Sequence, residues 1–566
     1  LTDTTDANQA GGDDTISPGY ASTPAPTSSA RLTDRATPRA LRMAQPLARE
    51  VVEEIAKQYG VCIRPIALRR LDTYTGKVET IDVPCGATLE SKCPPCAKRT
   101  RQLRMAQCRE GWHLDHEPVN TPDEADTYQR YLVELRADAQ AWRNQAEKAG
   151  EDTTDLDKAI GDLDDEINRA GMRGTVLGRT TGKRSRSTRR RQDAPDLPKR
   201  TMTNTTLGKT FTSSNGKTFR PSMFITLTLP SYGRVRKNGA PVDPNTYDYA
   251  RAARDALHFS KLVDRFVQNL RRVAGFDVQY FASVEPQKRL APHLHMAVRG
   301  HLPRAEIKQI AAATYHQVWW PSVDRVVFEG DHLPVWDDGA GYLDPATGEV
   351  LPTWDEALDE LDQDDEAEPL HVLTFGPQLD VQGVLAGTTD ADTCIRYLSK
   401  YLTKSIGDAI DPDDSAQREH AERLGNALRY EPCSPTCPNW LRYGVQPKGA
   451  KPGMIPGRCR GKAHKPEHLG YAGRRVLVSR KWSNKTLTEH KQDRRTWVLE
   501  ALGLPDEPVD PHRYVWRPVK PGDPGLDPIG VRLLRSVHER QRWRNHMNQL
   551  QAQAEGQELS ATPEAA

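Results

Sequence analysis

The chain has 566 residues, a formal net charge of +2, 28% charged and 37% hydrophobic residues, 42 prolines and 40 glycines. That length suits about three or four domains, and the composition suits a multi-domain protein with long polar connections. No apolar run approaches the roughly 20 residues of a membrane helix, and "LTDTTDANQAGGDD" lacks the basic and apolar regions of a signal peptide. A cytoplasmic protein without membrane partners is therefore expected, with its true start left open by the initial Leu.

The charge is unevenly spread. Residues 173–200 carry ten Lys/Arg against two Asp, and residues 440–485 carry twelve against one Glu. "DEALDELDQDDEAE" (355–368) carries nine acidic residues and no basic one. Such asymmetry suggests basic faces that meet phosphate and an acidic, solvated insertion.

Residues 1–45 are rich in Thr, Ser, Pro, Ala and Asp without periodicity and read as disordered. Residues 46–120 form a cysteine-containing unit. Residues 121–172 have helical spacing, with Tyr128, Leu132, Leu135 and Trp142 on one side, and predict a helical hairpin. Residues 173–209 read as a basic linker. "SMFITLTLP" (222–230) alternates as a strand. Residues 246–273 predict a helix with Leu257, Leu262, Phe266 and Leu270 facing the core. "FDVQYFASVEP" (276–286) is a strand that turns through "QKRLAP" into "PHLHMAV". Residues 304–319 predict a helix, 370–381 a strand, and 389–406 a helix with Asp390 or Asp392 as cap. "RRVLVSRKW" reads as a strand. The mixture predicts an α+β domain built on an antiparallel sheet.

His293 and His295 stand one residue apart in a strand, so both imidazoles face one side. A half-exposed polar strand explains them, and so does a partial site for Mg²⁺, Mn²⁺ or Zn²⁺ that Glu285, near the end of the preceding strand, completes. In "CIRYLSKYLTKSI", Ile395, Leu398, Leu402 and Ile406 form one stripe and Tyr397, Lys400, Tyr401 and Lys404 another. The first stripe packs the helix. The second covers a neighbouring element or forms a phosphate-transfer face, in which a tyrosine of pKa about 10 needs help to act as a nucleophile.

Nine cysteines in a cytoplasmic protein argue against structural disulfides. Cys85, Cys93, Cys96 and Cys108 suit a tetrahedral S₄ zinc site, the alternative being free buried thiols. Cys433, Cys437 and Cys459 with His464, or with His468, form a second candidate. Four protein ligands leave no open position, so both zinc ions are expected to be structural. Cys62 and Cys394 read as core cysteines. Trp440, Arg442, Tyr443, Lys448, Lys451 and Arg458 suggest a DNA-contacting surface.

"FITLTLPS", "PHLHMAV" and "YLSKYLTK" occur in the order of the three motifs of HUH endonucleases, the rolling-circle replication initiators and their relatives. Together with "CGATLESKCPPCAKRTRQLRMAQCREGWHL", "NWLRYGVQPKG" and "RGKAHKPEHLGYAGRRVLVSRKWSNKTL", the chain resembles replication initiators of actinobacterial (Streptomyces-type) plasmids and integrative elements from about 55 to 500. The resemblance implies a central RRM-like antiparallel sheet. It implies that His293, His295 and Glu285 bind catalytic Mg²⁺ or Mn²⁺. It implies that Tyr397 or Tyr401 attacks DNA to form a 5′-phosphotyrosine link and a 3′-OH primer. Lys400 or Lys404 would orient the phosphate, and Thr226 and Thr228 would be structural or touch DNA. Partners would be origin DNA, a host helicase and DNA polymerase, with the oligomeric state unspecified. No GxxxxGK[ST] phosphate loop is present, which is why unwinding is assigned to the host.

The expected organisation is an HUH domain over 210–408 with an acidic insertion at about 324–369, a second zinc-binding basic module over 409–482, and a helical region over 483–566. A rolling-circle transposase or conjugative relaxase shares this chemistry. A non-enzymatic zinc-containing DNA-binding regulator explains the cysteines and basic stretches and leaves the histidine pair and tyrosine stripe as coincidences.

Overall fold

The computed structural model describes residues 46–560 except 119–123, 173–190, 192, 217, 401, 404–406, 408–409, 502, 504, 506–509, 511–512, 521 and 524. The segment 1–45 and the basic run at 173–190 lie outside the described residues.

In chain order the elements are α1 (Pro46–Gln58), β1 (Ile66–Asp72), β2 (Val78–Val83), α2 (Pro94–Trp112), α3 (Thr127–Ala149), α4 (Thr154–Arg169), β3 (Phe211–Thr212), β4 (Thr218–Phe219) and β5 (Pro221–Leu227). Then come α5 (Tyr249–Ala274), β6 (Tyr280–Pro286), β7 (Pro292–Arg299), α6 (Arg304–Ala312), β8 (Tyr315–Val318), β9 (Val335–Asp337), β10 (Gly341–Leu343) and α7 (Trp354–Gln363). They are followed by β11 (His371–Thr374), β12 (Leu379–Leu385), α8 (Thr389–Lys400), α9 (Ser415–Tyr430), β13 (Val476–Val478), α10 (Leu487–Ala501), β14 (Tyr514–Pro518) and α11 (Ile529–Ser560). The fold is α+β with antiparallel sheets. No described helix is long and apolar enough to cross a membrane.

The chain divides into two units. The smaller holds the residues up to Val83 together with those from Tyr514 onward. There β14 pairs with β1, and β1 with β2. Arg532 closes this unit by hydrogen-bonding Asp82. The larger unit, Pro84–Arg513, is organised on a five-stranded sheet of order β12-β5-β7-β6-β13.

The strand period of two divides this sheet into unlike faces. Met223, Ile225 and Leu227 of β5, Ala282 and Val284 of β6, and Leu294, Met296 and Val298 of β7 join one core with Leu262, Phe266 and Leu270 of α5. Each fully buried Leu or Phe there contributes roughly 1.5–3 kcal/mol. The opposite face carries cross-strand rows set by register. Phe224, Ala297 and Phe281 align, and beside them Thr226, His295 and Ser283, and then His293 with Glu285. Ile395 and Leu398 of α8 and Cys108 and Trp112 of α2 cover the apolar row.

Helix α2 lies close against the segment after β13. A Cβ on Gly111 would stand 2.2 Å from Trp482 Cδ1 and 2.5 Å from the Trp482 carbonyl oxygen. Backbone crowding of this kind cannot be relieved by a rotamer change. Gly111→Ala is expected to cost about 1–3 kcal/mol, the usual range for overpacking, read as a lower melting temperature of the full chain. An unchanged melting temperature would contradict this packing.

Several expected elements end differently. The helix expected over 304–319 stops at Ala312, and "YHQV" pairs as β8 with β11, as its β-branched and aromatic residues favour. The strand expected over 370–381 breaks at Gly376 and Pro377, and its halves enter different sheets. The hairpin of α3 and α4 forms, but Tyr128 and Trp142 are exposed. Its buried residues are Leu132, Arg136, Ala139 and Ala146 of α3 and Ile160 and Ile167 of α4, with the Arg136 guanidinium paired to Asp164 at 2.8 Å. The acidic insertion is folded: α7 packs Trp354 against Trp320 and Trp440.

Candidate active site

The register places Glu285 directly opposite His293, and His295 between Thr226 and Ser283. All three potential ligands are held by neighbours. His293 Nδ1 donates to the Glu285 carbonyl oxygen at 3.0 Å, because that oxygen can only accept. Its Nε2 therefore carries a lone pair when the ring is neutral. His295 Nδ1 meets Thr226 Oγ1 at 3.0 Å, and Phe224 stacks against its ring at 5.8 Å. Ser283 Oγ donates to Glu285 Oε1 at 3.1 Å. The ligand atoms converge: His293 Nε2 to His295 Nε2 is 2.7 Å, and His295 Nε2 to Glu285 Oε2 is 3.7 Å.

Burial sets the charge states. It lowers His293 to about 4 and His295 to about 3, so both imidazoles are neutral near pH 7. It raises Glu285 to about 7, against the Ser283 hydrogen bond and the positive charges of Arg475 and Lys400. A carboxylate buried beside two neutral donors suits a cation, whose charge would offset the desolvation.

Helix α8 brings the tyrosine. Ile395 and Leu398 are fully buried against the sheet. That seating leaves Tyr397 42% exposed, with its hydroxyl 3.3 Å from His295 Nε2 and its ring edge-on to His295 and Phe224. Helix α8 starts at Thr389, so Asp390 and Asp392 lie in its first turn rather than capping it; Thr388 Oγ1 accepts from the Ala391 amide at 3.5 Å, and Arg109 of α2 holds Asp392 at 3.0 Å. Just beyond α8, Thr403 is buried and bonds Glu90 twice, through Oγ1 to Oε1 at 2.7 Å and through its carbonyl oxygen to the Glu90 amide at 2.9 Å. The cysteine loop thus braces the tyrosine helix. Tyr401, Lys404 and Ile406 lie outside the described residues.

Two thiol groups have metal-like geometry. Zinc–sulfur bonds of 2.3 Å at the tetrahedral angle separate two sulfurs by about 3.8 Å. Cys85 and Cys96 stand 3.8 Å apart, with Cys93 beside them at the start of α2. Cys433 and Cys459 stand 3.9 Å apart, and Cys437 Sγ is 3.7 Å from His464 Nε2. His464 Nδ1 donates to the Leu428 carbonyl oxygen at 2.9 Å, which frees Nε2 for a metal. The Gly461 amide donates to Cys459 Sγ at 3.3 Å. His464, rather than His468, completes this group.

A family described as RepSA, replication initiator protein, pSAM2, matches residues 48–539. The chain belongs to this family of replication initiators. It is also 26% identical over 255 residues to the replication initiator protein of Streptomyces ambofaciens, a match covering 37% of this chain and 50% of that protein. The similarity therefore spans about half the length of that curated relative. No solved structure matches the chain.

Two of the residues expected to bind zinc or DNA stand elsewhere in this initiator. Cys108 does not join the thiols. It lies twelve residues beyond Cys96 on the same helix, about 18 Å along the axis at 1.5 Å per residue. There it is buried among Trp112, Phe281 and Trp482, and burial raises its thiol well above the usual range. Arg442 is also unsuited to an open DNA surface. Its side chain is 12% exposed, pairs with Glu329 of the acidic insertion at 2.8 Å, and lies over Tyr430. Lys448 reaches Asp355 at 3.5 Å from an exposed position, and Lys451 and Arg458 are exposed. Cys394 is half-buried beside the same apolar cluster, and Cys62 is buried in the smaller unit. Phe224, Ser283 and Arg475 are the site residues that sequence reasoning did not name. The first two could have been found by writing the three strands in register.

Proposed function

We propose that this initiator nicks one DNA strand at a replication origin by tyrosine transesterification. The observation that carries the proposal is the approach of the Tyr397 hydroxyl to His295 where His293, His295 and Glu285 converge. Tyr397 Oη attacks the scissile phosphorus. The new Oη–P bond replaces the P–O3′ bond, the tyrosyl proton passes to solvent, and the departing 3′-oxygen takes one up. The products are a 5′-phosphotyrosine link and a 3′-OH. The phosphodiester energy is retained, so a later strand can reverse the step.

A divalent ion, Mg²⁺ or Mn²⁺, held by His293, His295 and Glu285 would polarise the phosphate. Lys400, whose charge acts on Glu285, would steady the non-bridging oxygens. Tyr401 and Lys404 take the roles of second nucleophile and second cation by their place in the motif. Structural zinc would occupy the Cys85, Cys93, Cys96 group and the Cys433, Cys437, Cys459, His464 group. Lys448, Lys451 and Arg458 would contact DNA phosphates. A host polymerase would extend the 3′-OH while a host helicase unwinds.

The test uses labelled single-stranded fragments tiled across the DNA flanking the gene, with and without Mn²⁺, resolved on a denaturing gel. A metal-dependent, protein-sized label is expected. His295→Ala should remove it and weaken Mn²⁺ binding measured by calorimetry. Salt-sensitive binding with no covalent species in any tile would overturn the proposal.

A further inference from the structure

Residues 231–243, "SYGRVRKNGAPVD", form a hairpin that neither the metal site nor the zinc groups use; its outgoing arm, 234–237, is exposed, and its return, 239–241, is buried. The Arg236 amide donates to the Ala240 carbonyl oxygen and the Val242 amide to that of Arg234, both at 2.8 Å. Arg234, Arg236 and Lys237 are exposed along it. Val235 and Val242 are 40% and 49% exposed between them.

The hairpin is anchored at its tip and at its root. Gly239 has φ +93, and a Cβ there would lie 2.3 Å from the Lys288 carbonyl group. Lys288 Nζ donates to the Lys237 carbonyl oxygen at 3.4 Å. Asn238 donates to Asp414 at 2.7 Å, and Gln417 of α9 donates to the Asn238 carbonyl oxygen at 2.7 Å. Arg289 fixes the root by donating to the Leu229 and Pro230 carbonyl oxygens, each at 2.7 Å. Lys288 and Arg289 belong to the turn that joins β6 to β7, and Glu285 and His293 stand at the ends of those strands. A basic ribbon is thus tied to the same turn as the metal ligands.

We propose that this hairpin docks on duplex DNA beside the nick, with Arg234, Arg236, Lys237 and Lys288 on phosphates. This rests on the reading of the chain as a DNA-nicking enzyme. With its return arm buried, the hairpin presents its cations to the phosphate backbone rather than entering a groove. Exposed cations on a rigid support fix register without reading sequence. The exposed valines fit the apolar faces of the sugars. The single strand enters at the metal site, and the hairpin holds the duplex from which it came.

The test uses the full chain carrying Arg234→Ala, Arg236→Ala and Lys237→Ala together. All three side chains are exposed, and a thermal melt checks the fold. The probes are a long mixed-sequence duplex and one strand of it alone. The triple variant should bind the duplex about tenfold or more weakly, with a salt slope smaller by about 2–3, since each phosphate contact contributes about 0.9. The loss on the single strand should be smaller. Unchanged duplex affinity and slope would overturn the proposal, as would equal losses on both probes, which would place the hairpin on the single strand. If the wild-type chain forms no covalent adduct while the variant still loses duplex binding, docking stands and the nicking reading falls.

Discussion

Tyr397→Phe is expected to lower covalent attachment of DNA by about 10³-fold or more, the order lost when a covalent nucleophile is removed. The substitution keeps the ring, so its edge-on contacts with Phe224 and His295 survive and the helix keeps its seat. Only the hydroxyl 3.3 Å from His295 Nε2 is lost. A phenol of pKa about 10 attacks poorly without assistance. The assistance here is local: the converging ligand atoms beside its oxygen, and Lys400 three residues further along the helix. Duplex binding should be unaffected. If Tyr397→Phe retained wild-type adduct and Tyr401→Phe lost it, Tyr397 would be the second nucleophile rather than the first.

Cys437→Ser is expected to lose one zinc per chain and to unravel the module around it. Structural zinc in small peptides supplies about 10–16 kcal/mol, comparable to or larger than the roughly 5–15 kcal/mol that stabilises a whole domain. Cys437 is buried beside Trp440, and Trp440 packs on Trp354 and Trp320, so the acidic insertion should loosen with the module. Zinc content by elemental analysis and a thermal melt read the two effects. Cys108→Ser is the matched control. It should keep the full zinc content and lose only some stability, because its thiol packs among tryptophans. Zinc loss in Cys108→Ser with retention in Cys437→Ser would reverse both assignments.

The parts of the site legible in the sequence are those with local period. Alternation along "PHLHMAV" puts both histidines on one face, and a short antiparallel turn brings Glu285 alongside. The stripe of Ile395 and Leu398 correctly gives the buried side of α8, which leaves Tyr397 facing the histidines. The illegible parts depend on distance through space. The spacing of Cys85, Cys93, Cys96 and Cys108 looks like four ligands until "CPPCAKRTRQLRMAQCREGW" is seen as one helix, which carries the last thiol about 18 Å away. Arg442 looks like a DNA contact because its partner Glu329 lies more than a hundred residues earlier, in a segment that reads as solvated. The β8 and β11 pair was hidden for the same reason: strands in different parts of the chain exchange bonds that no local window contains.

The most direct test of the account is to identify the residue that carries DNA. The protein would be incubated with Mn²⁺ and a reactive single-stranded fragment, digested with nuclease and protease, and its peptides weighed. A nucleotide 5′-phosphate is expected on the peptide containing Tyr397, formed only with metal and absent in His295→Ala. A nucleotide on a residue outside the 397–401 segment, or no linked peptide under any metal condition, would contradict it.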